Sequence, residues 1–579
     1  MCPDKITMER AFWIAFVVLS SLSQCLCDDV LRTNVVDTKS GRVRGIMKRT
    51  VWNSVEYQAY LGIPYALPPV KHLRFELPVP VRPWGYIFEA VKESSSCIQM
   101  DLFTDEFIGS EDCLYLNVYV TGNNNATEGK PKLKPVMIWI YGGAYVSGYS
   151  DSALYGPDLF LEQDVVFVSF NYRVGSLGFL KTDARNASCN VGLWDQNLVL
   201  RWVNENIAAF GGDPNWVTLY GESAGAASVG FHTMSQKSRG LFHKAIYQSG
   251  TPLCQWAYLM PLVAEKHART LGELLGYKSL DKEGLLNFLR TVPADELIHK
   301  QQQVGLDILA FAPTTENPDL ISDDRAFLTD CPLTRYRDGD FSKMPTMMGM
   351  NGEEALFFVN YYIKTGQHDQ YLWQWFLQLF AITHFPVGYL GSVTNVVLRQ
   401  LPKSVIRLIT NFATEAAFTA PIDLTRKLII KQNGDNPFYY YLLKYRSMYN
   451  LHSTMGETIN GTSHVDDIAY LFNVKNLSAP TDPNDPFNVF RRKMVSLWTN
   501  FAKYGDPTPP DLRGVNTFDN VWPDATKTGK ILEINETTKV REGMPGSFAP
   551  IYQPILESIL PLETGCVNSL LHSLTSTPL

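Results

Sequence analysis

A run of strand-forming residues that breaks off in Gly-Glu-Ser-Ala-Gly and resumes as an alanine-rich, helix-like segment constrains this chain most: "NWVTLYGESAGAASVGFH", residues 215–232. A strand that passes into a helix within so few residues needs a tight turn, which glycines on either side of the turning residue allow. Other strand-like runs alternate with helix-like ones: "PVMIWIY" at 135–141, "VVFVSFNY" at 165–172, "WVTLYG" at 216–221 and "KAIYQSG" at 244–250. Continuous apolar strands of this kind are usually covered on both faces, as in a parallel sheet. Between them "LWDQNLVLRWVNENIAAF", 193–210, has helical apolar spacing and stops at Gly211 and Gly212. The alternation predicts an α/β architecture with right-handed crossovers. Later strands are read in "MPTMMGMN", 344–351, and "PFYYYLLKY", 437–445. No repeat, low-complexity tract or separating linker stands out, so residues 28–579 read as one large domain with helical insertions.

The compartment is read from the N-terminus and the cysteines. Lys5 and Arg10 precede "AFWIAFVVLSSL", too short to span a bilayer, and "SQCLC" supplies small residues for cleavage before about Asp28. Residues 1–27 are therefore expected to be a secretory signal, leaving a secreted, extracellular protein with no membrane anchor. Cys97, Cys113, Cys189, Cys254, Cys331 and Cys566 remain, an even number that suits an oxidising compartment. Sequons at Asn125, Asn186, Asn460, Asn476 and Asn535 suit it too. The net charge of −7, with no basic run, argues against nucleic acid as a partner. No zinc spacing, HExxH or phosphate-cradling loop appears, so no metal and no cofactor are expected.

G-x-S-x-G between a strand and a helix is the pattern of a nucleophile elbow, which exposes a serine on a strained turn. Here the serine is Ser223, and the helix beginning at Ala224 points its N-terminal amides toward it, favouring negative charge there. A serine alcohol needs a base, and the base needs an orienting acid. The chain order for this arrangement is Ser, Asp or Glu, then His. The strand ending at Asn351 runs into Glu353 and Glu354, and the strand ending at Tyr445 is followed by His452 and His464. Two acids and two bases stay open on these grounds. "IYGGAYVSG" offers the amides of Gly143 and Ala144 which, with that of Ala224, would form an oxyanion hole. His232, His243 and His267 are read as structural, and Ser249 in "YQSGT" as a partner of the acid or base.

Several stretches together resemble the type-B carboxylesterases, the carboxylesterase/cholinesterase family: "YLGIPYALPPVKHLRFELPVP", "SEDCLYLNVYV", "VMIWIYGGAY", "NYRVGSLGFL", "GLWDQNLVLRWVNENIAAFGGDPNWVTLYGESAGAAS", "YQSGT" and "SHVDDIAYLF". The resemblance implies an α/β-hydrolase fold, a large mostly parallel central sheet flanked by helices. It also implies a triad of Ser223, Glu354 rather than Glu353, and His464, together with a Cys97–Cys113 bridge. Three departures stand out. Ala144 occupies a position where the family often has glycine. Val465 follows the base where glycine or alanine is frequent, which would narrow the space beside His464. Only Cys254 lies where a second family disulfide is usual, so that bridge is absent or redirected, with Cys189 as the partner considered. The loop between Cys97 and Cys113 has Phe103 and Phe107 but no tryptophan, so no choline site is expected. Juvenile-hormone esterases resemble the chain as well, but typically have Gln where Glu222 stands.

The aromatic run at 355–380 is read mainly as helix packed against the sheet, with lining of the site as the alternative. The expected activity is hydrolysis of a small-molecule carboxylic ester, xenobiotic, odorant or dietary, through an acyl-enzyme. Insect secreted carboxylesterases are the nearest likeness. The competing class, a binding or adhesion member of the family without a triad, is disfavoured because all three positions hold competent residues.

Overall fold

The computed structural model describes residues 31–544, apart from 103, 123–131, 305–309, 366–401, 455–458 and 515–516. Its centre is a thirteen-stranded sheet. In chain order the principal strands are β1 (Arg32–Thr38), β2 (Gly41–Arg49), β3 (Glu56–Pro64), β4 (Tyr115–Thr121), β5 (Lys134–Ile140), β6 (Val166–Phe170), β7 (Gly212–Glu222), β8 (Lys244–Gln248), β9 (Thr346–Asn351), β10 (Phe438–Leu443), β11 (Ile531–Ile534) and β12 (Lys539–Arg541). They lie side by side as β1-β2-β3-β4-β6-β5-β7-β8-β9-β10-β11-β12, with Ile87–Glu89 paired to β2. From β6 to β11 every neighbouring pair is parallel, whereas β1 to β4 and the terminal β12 join antiparallel.

The burial of the strands explains why some announce themselves in sequence. Every residue of β6, β8, β9 and β10 is buried, so these strands need apolar or hydrogen-bonded side chains on both faces and read as unbroken runs. Helices α1 (Val191–Asn206) and α2 (Ala224–Met234) belong to the covering layers; α2 is buried along its whole length. The stop expected at Gly211 is present: a 3₁₀ turn, Ile207–Phe210, ends there with Gly211 at φ +85°.

The parallel register aligns the strand ends that carry the chemistry. Glu222 on β7 pairs with Gln248 on β8, Gln248 pairs with Gly349 on β9, and Asn351 on β9 pairs with Leu443 on β10. The segments that follow β5, β7, β8, β9 and β10 therefore leave the same edge of the sheet, which is where open α/β sheets build their sites.

Cys97 and Cys113 are joined by a disulfide, with Cα atoms 4.9 Å apart. The redirected bridge from Cys254 to Cys189 is not made: both thiols are free and buried. Burial raises both, Cys189 well above the ordinary thiol range and Cys254 to about 12, so neither is a ready thiolate. Cys331 is disulfide-bonded, and Cys566 lies outside the described residues. No described helix is long and apolar enough to cross a membrane. The expected signal at 1–27 lies outside the described residues, as does Asn125; Asn186, Asn460 and Asn476 are exposed and Asn535 is half-buried.

Candidate active site

The turn at Ser223 shows why glycine flanks the serine. Ser223 has φ +57° and ψ −123°, a conformation that costs a non-glycine residue free energy and persists only where its surroundings hold it. A Cβ at Gly221 would come within 2.6 Å of both Ile140 O and the Gly225 backbone, and one at Gly225 would collide with Ile140 O. Both glycines let α2 press against β5. The Ser223 amide donates to Gln248 O at 2.8 Å, fixing the turn to the neighbouring strand.

The two open choices of acid and base part cleanly in space. His464 Nε2 lies 2.9 Å from Ser223 Oγ, and His464 Nδ1 lies 2.7 Å from Glu354 Oε2. Glu353 instead accepts from the Thr462 amide at 2.8 Å, bracing the loop before the histidine. His452 Nδ1 lies 2.6 Å from Asp466 Oδ2, which also accepts from the Ser463 amide at 2.7 Å. That pair anchors the loop carrying His464. Glu354 is held by the Asn351 amide and by Ser249 Oγ, each donating to Oε1 at 2.6 Å, so Ser249 is a partner of the acid.

Above the serine, Gly143 and Ala144 have φ of +103° and +55°, and neither amide bonds another backbone group among the described residues. The left-handed angle at Ala144 gives the physical reason for glycine being frequent there. Ala224 is the first residue of α2, so its amide has no partner within the helix. The three amides are available for an oxygen that gains negative charge beside Ser223.

The sequence assigns no role to two buried carboxylates near His464. Glu222 Oε1 lies 3.2 Å from His464 Nε2 and makes no hydrogen bond among the described residues. Burial raises Glu222 to about 8, against the pull of His464, with Asp467 and Glu354 adding to the rise. Burial alone would lower His464, but the carboxylates of Glu222 and Glu354 outweigh it and push it up to about 9. Asp467 accepts from Gln248 Nε2 at 2.6 Å, and burial raises it to about 6. Ser223, Glu222 and Asp467 lie inside stretches already recognised as motifs, but their convergence is a tertiary fact. Among the described residues no group of three or more His, Cys, Asp or Glu side chains is arranged to hold a metal.

Aromatic rings close around the imidazole. Phe418, Phe358 and Phe357 have ring centroids 4.9, 5.7 and 6.5 Å from His464. Phe357 and Phe358 open the helix Leu356–Thr365, so at least the start of the aromatic run faces the site; the remainder at 366–380 lies outside the described residues. Phe107 stacks on His299 with centroids 5.2 Å apart, and Phe103 is outside the described residues. His232, lowered to about 3 by burial, is held between Ser238 Oγ at 2.8 Å and Gln196 Oε1 at 2.9 Å. His243 and His267 instead bond backbone groups, Val217 N and Ala310 O.

Val465 has φ +65°, a left-handed position that strains a β-branched residue. It is half-buried against the core.

Comparison with known proteins places the chain in a family. The model of the Carboxylesterase family matches residues 32–547. The chain is 34% identical to a juvenile hormone esterase of Tribolium castaneum, over 89% of this chain and 92% of that protein. It is 32% identical to a cholinesterase of Mus musculus, over 87% of this chain and 84% of that one, and 33% identical to a carboxylic ester hydrolase of Bombus ignitus, over 83% and 86%. The crystal structure of juvenile hormone esterase from Manduca sexta, with OTFP covalently attached, superposes with a TM-score of 0.76 at 26% identity, covering 91% of this chain and 99% of that one. With an α/β-hydrolase sheet and a family match spanning nearly its whole length, the chain belongs to the carboxylesterase family and is a carboxylic ester hydrolase.

Proposed function

We propose that this chain is a secreted serine carboxylesterase working through an acyl-enzyme on Ser223. The observation that carries the reading is the unbroken path from Ser223 Oγ to His464 Nε2 at 2.9 Å and from His464 Nδ1 to Glu354 Oε2 at 2.7 Å. Ser223 Oγ attacks the ester carbonyl carbon while His464 takes its proton; the carbonyl oxygen becomes an oxyanion before the Gly143, Ala144 and Ala224 amides. Collapse breaks the bond to the alcohol, to which His464 returns the proton. Water then attacks the acyl carbon, losing a proton to His464, and the acid leaves as Ser223 recovers its hydrogen.

The rings of Phe357, Phe358 and Phe418 suit an apolar ester, of the xenobiotic, odorant or dietary kind. The short apolar N-terminal run and the Cys97–Cys113 bridge support secretion. Ser223→Ala is expected to abolish hydrolysis of a short-chain aryl ester while leaving secretion and thermal unfolding unchanged. Turnover retained by that variant sinks the reading.

A further inference from the structure

The Gly143 and Ala144 amides sit in a curl of backbone, residues 142–148, that follows β5 and turns back on itself. Gly143 O accepts from the amides of Val146 and Ser147, each at 3.0 Å, and a Cβ on Gly143 would meet Ser147 O at 2.1 Å. At the start of the curl, a Cβ on Gly142 would meet Glu222 O at 2.8 Å and Ser223 Cβ at 3.0 Å. At its end, one on Gly148 would meet Gly142 O at 2.7 Å, so the curl closes beside the nucleophile. Ala144 and Tyr145 both have positive φ, which a residue with a side chain keeps only where its surroundings hold it.

What holds the closing end is a side chain. Neither the amide nor the carbonyl of Gly148 bonds another backbone group among the described residues; the carboxamide of Gln99 takes both. The Gly148 amide donates to Gln99 Oε1 at 2.5 Å, and Gln99 Nε2 donates to Gly148 O at 2.8 Å and to Cys97 O at 2.9 Å. A carboxamide suits this place because it sets an acceptor beside a double donor, as a peptide group needs. Gln99 is fully buried and lies in the loop that the Cys97–Cys113 disulfide closes, where Gln99 and Met100 pair with Ile108 and Phe107. A second tie comes from the same loop: the Leu102 amide donates to Ser147 Oγ at 3.3 Å.

We propose that Gln99 is a positioning residue for ester hydrolysis, clamping Gly148 and thereby setting where the Gly143 and Ala144 amides point. The disulfide-closed loop then serves the rate of the chemical step as well as the fold. The inference rests on the serine-esterase reading above and adds to it a residue outside the triad and the oxyanion donors. Donors aimed at an oxyanion act once charge has developed, so a displaced curl lowers kcat and leaves ground-state binding in place.

The test compares wild type with Gln99→Met, which keeps the length but cannot pair with Gly148, and with Gln99→Glu, which accepts from the Gly148 amide but turns a second oxygen toward Gly148 O and Cys97 O. Ser147→Ala gives up only the Leu102 bond and carries the test if neither Gln99 variant folds. Each protein is assayed with a short-chain aryl ester and titrated with an alkyl trifluoromethyl ketone and with the alcohol obtained by reducing that ketone. On the ketone, Ser223 Oγ bonds to the carbonyl carbon, its proton passes to His464, and the carbonyl oxygen becomes an anion facing the curl; the alcohol has no carbonyl to attack. Gln99→Met is expected to lower kcat about 10–100-fold and to weaken the ketone by a similar factor, with KM and alcohol affinity within about threefold of wild type. Gln99→Glu should lose at least as much, and Ser147→Ala should move the same way by less. Unchanged kcat in a folded Gln99→Met, or equal weakening of ketone and alcohol, overturns the proposal, while a wild type that hydrolyses the ester and binds the ketone leaves the esterase reading standing. A wild type that does neither overturns both.

Discussion

Two buried charged clusters in this molecule are built to opposite standards. Arg173 and Asp195 are both buried and fully engaged: Arg173 Nε and Nη2 donate to Asp195 at 2.8 and 2.7 Å, its amide adds a bond at 3.0 Å, and Nη1 donates to Glu76 O at 2.8 Å. At His464 three carboxylates, Glu354, Glu222 and Asp467, surround one imidazole, and Glu222 Oε1 and Asp467 Oδ1 make no hydrogen bond among the described residues. Left-handed backbone occurs at the site as well as in loops elsewhere. Ala144, Tyr145, Ser223, Ser249 and Val465 all have positive φ, and all lie in the segments that form the site. Among these two charged clusters, the under-satisfied one surrounds the imidazole and the fully paired one ties scaffold segments together.

If that division is sound, the clusters should fail differently when broken. His464→Ala removes the proposed general base and should lower kcat/KM by about 10⁴ or more, with thermal unfolding nearly unchanged because the site is already under-satisfied. A large fall in Tm with modest loss of rate would invert the comparison. Asp195→Ala strands the Arg173 guanidinium without its carboxylate, which typically costs about 3–5 kcal/mol. Urea unfolding should show that loss, while protein that remains folded at low temperature should keep most of its kcat.

The same contrast governs what the sequence makes legible. Strands β5 to β10 were visible because burial on both faces writes an unbroken apolar run, and Gly221-Glu222-Ser223-Ala224-Gly225 was visible because only glycine fits where β5 and α2 meet. β1 and β2 show exposed and buried residues without strict alternation, so no period-two signal marks them. The place of β5 between β6 and β7 is equally hidden, because spatial order is not written in strand composition. Glu354 and His464 could be narrowed to pairs by strand ends and separated only by the resemblance. Their separation in space depends on which carboxylate turns toward the imidazole. A π turn at Glu415–Thr419 has no periodic signature in "TEAAFTAP", and the closeness of Glu222 to His464 joins residues far apart in the chain.

Glu222 offers a finer way to sharpen the comparison. Its carboxylate raises His464, and activity needs the imidazole neutral, so activity grows as pH rises through the His464 pKa. Glu222→Gln removes that negative charge, lowers the His464 pKa and should move the acidic limb of the kcat/KM profile to lower pH by about one unit. Its maximal rate should fall as well, since the imidazolium formed in the transition state loses a facing carboxylate. An acidic limb that stays put would show that Glu222 carries its proton throughout and is electrostatically silent.

The smallest effect isolates strain from contact at Val465. Val465→Ala keeps a Cβ at φ +65° and discards half-buried methyl groups, so it should destabilise. Val465→Gly discards the same groups but releases a left-handed penalty of about 1–2 kcal/mol, less the roughly 0.5–1 kcal/mol that glycine's freedom costs. The glycine variant should therefore unfold at higher urea than the alanine variant, by about 1 kcal/mol, with kcat/KM for a short-chain aryl ester little changed in either. Equal stabilities would mean that the loop relaxes when Val465 is trimmed, and that the strain beside His464 is sustained by valine's packing and not by the bonds of Ser463 and Asp466 that frame it.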